Sequence, residues 1–190
     1  MSNFKILTEL PSYSLYNDLQ NLLKNQIIKW SGDNQICINT TLDEPYNYFK
    51  GSGSLVYDWN NAEKIIDKFG NEKISVPKYT NPLKEEDFCL ICEQFKNTSF
   101  EYMFTKLRQN FKIGRIRLMK SKPQTCLSWH RDDSPRIHYP LKTQDGCFMV
   151  IENEIKHLEQ DKWWWTNTIL KHTAFNSSKE DRIHLVAVLL

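Results

Sequence analysis

Ile113-Gly114-Arg115-Ile116-Arg117-Leu118-Met119 opens a stretch in which short β-prone runs follow one another, with turn residues between them, as far as Leu190. The runs expected to be strands are residues 113–119, 126–131, 136–141, 147–151, 156–159, 163–167, 169–175 and 182–190. Many short strands at close spacing predict two facing sheets or a closed barrel. The expected class is therefore mainly β with some α (α+β), with a double-stranded β-helix, or jelly roll, at its centre. In the last run Arg182, His184, Val186 and Val188 share one face, and Ile183, Leu185, Ala187 and Leu189 the other.

Working outward, residues 1–111 read as a helical and mixed support layer, because a sheet must bury one face against something. Leu15, Leu19, Leu22, Leu23 and Ile27 follow the rhythm of an amphipathic helix entered at Pro11-Ser12. A short strand is expected around Cys37, after the turn Ser31-Gly32-Asp33-Asn34. Gly51-Ser52-Gly53-Ser54 reads as a flexible connection, a candidate mobile loop over an active-site mouth. A second helix is expected over residues 82–95. A third opens at Thr98, where Glu101 completes a capping-box pattern ahead of Met103, Phe104 and Leu107. No linker divides the chain, so residues 1–190 are expected to form one domain with its jelly-roll core over 112–190.

Composition sets limits. Apolar residues make up 40% of the 190, enough for a packed core without disulfides or structural metals. The net charge of +2, from 25 basic and 23 acidic residues, lacks the basic excess that drives nucleic-acid binding. No apolar run approaches the roughly 18–20 residues of a membrane span, and the amino end lacks the apolar core of a signal peptide. Cys37, Cys89, Cys92, Cys126 and Cys147 are an odd, scattered set, as in a reducing compartment. These features predict a cytoplasmic protein. Cys89 and Cys92 have C-x-x-C spacing with no second pair to complete a zinc site, and their apolar setting predicts core residues.

The histidines, His130, His138, His157, His172 and His184, all fall in the β-rich part. His130-Arg131-Asp132 has the form H-x-D, and residues i and i+2 of an extended strand point to the same side, so imidazole and carboxylate can converge on one ion. His172 comes from a late strand that a jelly roll can bring alongside. Two imidazoles and a carboxylate on one face of an octahedron are the ligand set of non-haem Fe(II) oxygenases. Arg182, ten residues after His172, carries the planar fork suited to a carboxylate. His184, on the same face, is an alternative ligand or a support for a co-substrate.

Gly114-Arg115-Ile116-Arg117-Leu118-Met119, His130-Arg131-Asp132, Arg136-Ile137-His138-Tyr139-Pro140-Leu141, His172-Thr173-Ala174-Phe175-Asn176 and Arg182-Ile183-His184-Leu185-Val186 occur in that order. Together they resemble the aspartyl/asparaginyl β-hydroxylase family of Fe(II)/2-oxoglutarate-dependent oxygenases, which includes free-proline hydroxylases. The resemblance covers residues 113–190. It implies a cupin-like core in which His130, Asp132 and His172 ligate Fe(II) and Arg182 binds the distal carboxylate of 2-oxoglutarate, with Arg136 and His138 near that co-substrate and O2 as the second one. Some members lack the carboxylate ligand. Asp132 aligns this chain with the complete-triad branch, nearer the free amino-acid hydroxylases.

The expected function is hydroxylation of an amino acid, free or within a peptide. The alternatives are a cupin-like metal-binding or sensor domain without oxygenase activity, and a demethylase of the same chemistry, which the near-neutral charge disfavours. His157 is expected to be solvent-exposed. Among Trp163, Trp164 and Trp165 at least one ring is expected to face outward. Arg115 and Arg117, sharing a strand face, could hold a substrate carboxylate or line a wet cavity.

Overall fold

The computed structural model describes residues 2–58 and 61–190. Its larger sheet has six antiparallel strands in the order β1 (Phe4–Ile6), β12 (Trp164–Thr166), β9 (Arg136–Lys142), β14 (Arg182–Leu189), β7 (Ile113–Ser121) and β2 (Gln35–Cys37). A smaller sheet has the order β11 (Glu154–Lys156), β10 (Cys147–Ile151), β13 (His172–Asn176) and β8 (Thr125–Cys126). The two face each other as a double-stranded β-helix, with Phe4, Met149, Ile151, Leu158, Trp164 and Ala174 packed together as one apolar cluster.

The outer face of the larger sheet is covered by α1 (Leu15–Lys24) and α2 (Ser99–Asn110). The reason is periodicity. Leu15, Leu19 and Leu22 of α1, and Phe100, Met103, Phe104 and Leu107 of α2, recur at three- and four-residue spacing and form one buried stripe each. They meet Ile116, Leu118, Ile137, Tyr139, Leu141, Leu185 and Ala187, the alternate residues of the three central strands. The Thr98 side chain caps α2 by accepting from the Phe100 amide, while Glu101 accepts from Asn97 rather than from the cap residue. α1 ends at Lys24, and Gln26 has φ 56°, so Ile27 is turned out to 47% exposure.

Three expectations require correction. Residues 82–95 are not a helix. They contain two short 3-10 turns, Glu85–Asp87 and Glu93–Phe95, around β6 (Leu90–Ile91), which pairs with β3 (Asn39–Thr40). Backbone donors that a helix would use internally go elsewhere: the Cys92 amide donates to Ile38 and the Glu93 amide to Pro45. Cys92 is buried as expected, and Cys89 is half-buried. Of the run 126–131 only Cys126 is strand, at the end of β8, beyond which His130 makes an isolated bridge to His172. His157 is half-buried, its Nδ1 2.8 Å from the Cys147 carbonyl. A hairpin, β4 (Glu63–Ile66) with β5 (Glu72–Ser75), was not foreseen. It stands exposed along its whole length.

Trp163 and Trp164 are both buried, on opposite sides of the sheet, and Trp165 is half-buried. Trp163 lies among the residues beneath the helices, its indole N–H donating to the Pro11 carbonyl at 2.8 Å. Among the described residues, no helix is long and apolar enough to cross a membrane.

Candidate metal centre

The inner face of the larger sheet is polar where the outer one is apolar. Arg117 and Met119 of β7, Arg136 and His138 of β9, and Arg182, His184 and Val186 of β14 all face a cavity of about 120 Å³ between the sheets. His130, Asp132 and His172 line it from the smaller sheet's side. The expected separation of faces on β14 is thus present.

Backbone pairing brings the three candidate ligands together. The His130 amide donates to the His172 carbonyl at 3.0 Å, the His172 amide donates back at 2.9 Å, and the Asp132 amide donates to Thr168 at 2.9 Å. One ligating atom from each of His130, Asp132 and His172 lies within 4.8 Å of the others. The bridge thus joins two residues 42 positions apart in the chain.

Each imidazole is oriented by a carbonyl two residues before it. His130 Nδ1 lies 2.7 Å from the Ser128 carbonyl and His172 Nδ1 3.0 Å from that of Leu170. A carbonyl only accepts, so Nδ1 carries the proton on each ring and Nε2 keeps its lone pair for the site. Burial pulls the His172 pKa below its usual value, outweighing the Leu170 hydrogen bond, which acts to raise it. The ring therefore presents a neutral Nε2, 3.7 Å from Asp132 Oδ2. His172 is buried, Asp132 partly so, and His130 exposed. Two imidazole nitrogens and one carboxylate within reach of a common point fit a divalent first-row metal with open positions.

Arg136 is engaged with the triad. Its Nε lies 3.3 Å from Asp132 Oδ2, and its Nη1 donates to the Ser134 carbonyl and hydroxyl at 2.8 and 2.6 Å. Thr168, which sequence reasoning passed over, holds the same turn by donating to the Ser134 carbonyl at 2.9 Å. A threonine in a loop gives no local sign of that role.

Arg182 is different. It is 8% exposed, and among the described residues its Nε has no partner. His138 and His184 stand edge to face, 5.9 Å between ring centres, with His138 Nδ1 and His184 Nε2 also unpartnered. Burial, then the Arg182 charge, pushes His138 down to about 3 and His184 well below the ordinary histidine value, so both are neutral at physiological pH. Unpartnered buried nitrogens gathered in one cavity are the sign of a site built for a polar ligand.

Arg115 is occupied. It holds Glu85 through contacts of 2.8–3.1 Å and donates to the Gly51 and Gly53 carbonyls at 2.6 and 3.0 Å, tying down the connection expected to be flexible. Gly114 makes room for this, since a Cβ there would lie 2.7 Å from Glu85 Cβ.

The model of the aspartyl/asparaginyl beta-hydroxylase family matches residues 74–189. The chain belongs to that family. Among curated proteins it is similar to the L-proline cis-4-hydroxylase of Rhizobium meliloti (strain 1021), 26% identical over 97 residues, covering 46% of this chain and 35% of that protein. It is also similar to a UDP-GalNAc:beta-1,3-N-acetylgalactosaminyltransferase 2 of Xenopus laevis, 23% identical over 142 residues, 67% of this chain and 27% of that one. These matches span about a third of the relatives' length. Among solved structures, the viral collagen prolyl hydroxylase of Paramecium Bursaria Chlorella virus-1 aligns over 98% of this chain and 95% of its own, at 8% identity and a TM-score of 0.43. The family expected from the spaced motifs is the family found, and its matched segment reaches further toward the amino end than those motifs.

Proposed function

We propose that this chain is an Fe(II)- and 2-oxoglutarate-dependent dioxygenase that hydroxylates an amino acid, free or as a residue of a peptide. His130, Asp132 and His172 would hold the iron, and Arg182 the distal carboxylate of 2-oxoglutarate. The observation that carries this reading is the pair of carbonyl-oriented imidazoles meeting one carboxylate within 4.8 Å, in the same cavity as a buried, unpartnered guanidinium. Iron with 2-oxoglutarate and O2 would supply the oxidising chemistry, decarboxylating the keto acid to succinate and carbon dioxide as the substrate gains a hydroxyl group.

The chain's own part is placement. Ser128 and Leu170 hold the two rings in the tautomer that can ligate. Arg136 steadies the Asp132 carboxylate from 3.3 Å away. The fork of Arg182 suits a carboxylate, and His138 and His184, neutral beside it, can add hydrogen bonds without competing for charge. Burial of these groups keeps water from the co-substrate. The whole of residues 1–190 acts as one unit in this proposal, with 112–190 carrying the site and 1–111 bracing it. Five unpaired thiols suit a reducing compartment such as the cytoplasm.

The test is an anaerobic titration with Fe(II) and 2-oxoglutarate, followed by measurement of oxygen-dependent succinate release. His130→Ala and Asp132→Ala should abolish both the visible charge-transfer band and succinate formation. Arg182→Ala should raise the 2-oxoglutarate requirement at least about tenfold, the worth of a charged hydrogen bond, while iron affinity changes little. Iron binding without succinate from any substrate would identify a metal-binding module instead.

A further inference from the structure

Of the three candidate ligands, Asp132 is held least by regular structure. His130 and His172 share a β-bridge, whereas Asp132 lies beyond it, in the irregular run that leads to Arg136 at the start of β9. A carboxylate on such a run ligates only if its backbone is fixed, because a looseness of about 1 Å is enough to spoil a metal site.

Thr168 grips that run at two points. Its carbonyl accepts from the Asp132 amide at 2.9 Å, and its hydroxyl donates to the Ser134 carbonyl at 2.9 Å. One residue thus clasps the turn on which the carboxylate stands. Thr168 is buried and lines the cavity. The Ser134 carbonyl also accepts from Arg136 Nη1 at 2.8 Å, so both of its lone pairs are used.

The clasp is itself anchored. The Asn167 amide donates to the Asn3 carbonyl at 3.0 Å, and its side-chain nitrogen donates to Asn3 Oδ1 at 3.1 Å, just ahead of β1. On the other side the Leu170 amide donates to the Asn167 carbonyl at 3.2 Å, and the Leu170 carbonyl orients the His172 ring. The short segment 167–172 therefore sets the placement of Asp132 against His172.

Charge explains the need for it. Asp132 Oδ2 lies 3.3 Å from Arg136 Nε and 3.7 Å from His172 Nε2. A carboxylate whose backbone can shift closes on the guanidinium, where its charge is met, and leaves the metal position.

We propose that Thr168 is a positioning residue of the metal centre: its hydroxyl, through Ser134, holds the Asp132 carboxylate where it can ligate rather than pair fully with Arg136. The inference rests on the reading of His130, Asp132 and His172 as metal ligands, and not on the identity of co-substrate or substrate.

The experiment is metal binding, read without turnover. Co(II) is titrated into metal-free wild type, Thr168→Val, Thr168→Ser, Thr166→Val and Asp132→Ala, its visible absorption is followed, and thermal unfolding of each metal-free protein is recorded. Valine keeps the shape of threonine and removes the donor. Thr166 is the control, because it too is buried and its hydroxyl donates to the Arg136 carbonyl at 3.2 Å, but there strand pairing on both sides already fixes the backbone. Thr168→Val should weaken Co(II) binding about tenfold or more, the range for groups that orient a metal ligand. Thr168→Ser, which restores the donor, and Thr166→Val should both stay within about threefold of wild type. Both valine variants should lower the unfolding midpoint by a similar amount, about 2–4 °C, as expected for one buried hydrogen bond. Wild-type Co(II) affinity in Thr168→Val, a serine variant as weak as the valine one, or an equal loss in Thr166→Val would each overturn the proposal. No Co(II) binding by wild type, or binding unaltered by Asp132→Ala, would remove the ligand reading and this role with it. The expected pattern of Co(II) binding without any 2-oxoglutarate turnover would overturn the oxygenase reading alone and leave the role of Thr168 standing.

Discussion

Asparagine at position 132 would keep the shape of the aspartate and remove its charge, leaving Arg136 facing a neutral amide. The pair is close, 3.3 Å from Nε to Oδ2, with the arginine side chain 9% exposed and the aspartate side chain 24% exposed. At an effective dielectric of about 20 the bare attraction at that separation is about 5 kcal/mol. Desolvation offsets most of it, more for the arginine than for the aspartate, so a coupling of about 1–3 kcal/mol remains. A double-mutant cycle of Asp132→Asn, Arg136→Gln and the combination, followed by urea unfolding of metal-free protein, isolates that term. Each single variant should lower the midpoint of thermal unfolding by about 2–4 °C per kcal/mol lost, and the double variant should lose less than the sum. Additive losses, with a coupling below about 0.3 kcal/mol, would show that Arg136 does not hold the aspartate and would return it to the pool of arginines free to meet an anionic ligand.

Leu107→Ala empties a fully buried site between α2 and the larger sheet and should cost about 2–5 kcal/mol in denaturant unfolding, with little change in iron affinity. Stability should also fall in acid for a reason independent of the carboxylates. His138 is held to about 3 in the folded protein against an ordinary 6.5, so between those values the unfolded chain binds a proton that the native one refuses. Its contribution is complete above about pH 6.5 and is lost as pH falls toward 3, at up to about 1.4 kcal/mol per pH unit, and His138→Gln should flatten that part of the stability curve.

Local pattern made much of this fold legible. The alternation in β14 separates Arg182 and His184 from Leu185 and Ala187 without reference to any other strand, and the leucines of α1 do the same for a helix. What failed was set by distant partners. Residues 82–95 carry a helical rhythm in Cys89, Cys92 and Phe95, but Asn39 draws that segment into strand pairing and bonds to the Phe88 and Gly114 carbonyls, a competition no local window contains. The site divides in the same way. H-x-D, His172 and Arg182 could be chosen by residue type, because their chemistry is unusual. The partnering of Arg136 with Asp132, and of Arg115 with Glu85, depends on which of several arginines meets which carboxylate, and composition does not encode that.

Trp163 and Trp164 are neighbours on one chain, yet their rings belong to different compartments, one beneath the helices and one between the sheets. The partition between those compartments is a single peptide unit thick at that point. Neither side can loosen there without tugging on the other, so the scaffold that braces the protein and the chamber that receives its ligands should melt in one transition. Two adjacent indoles, replaced one at a time by phenylalanine, would report on the two chambers from opposite faces of the same wall.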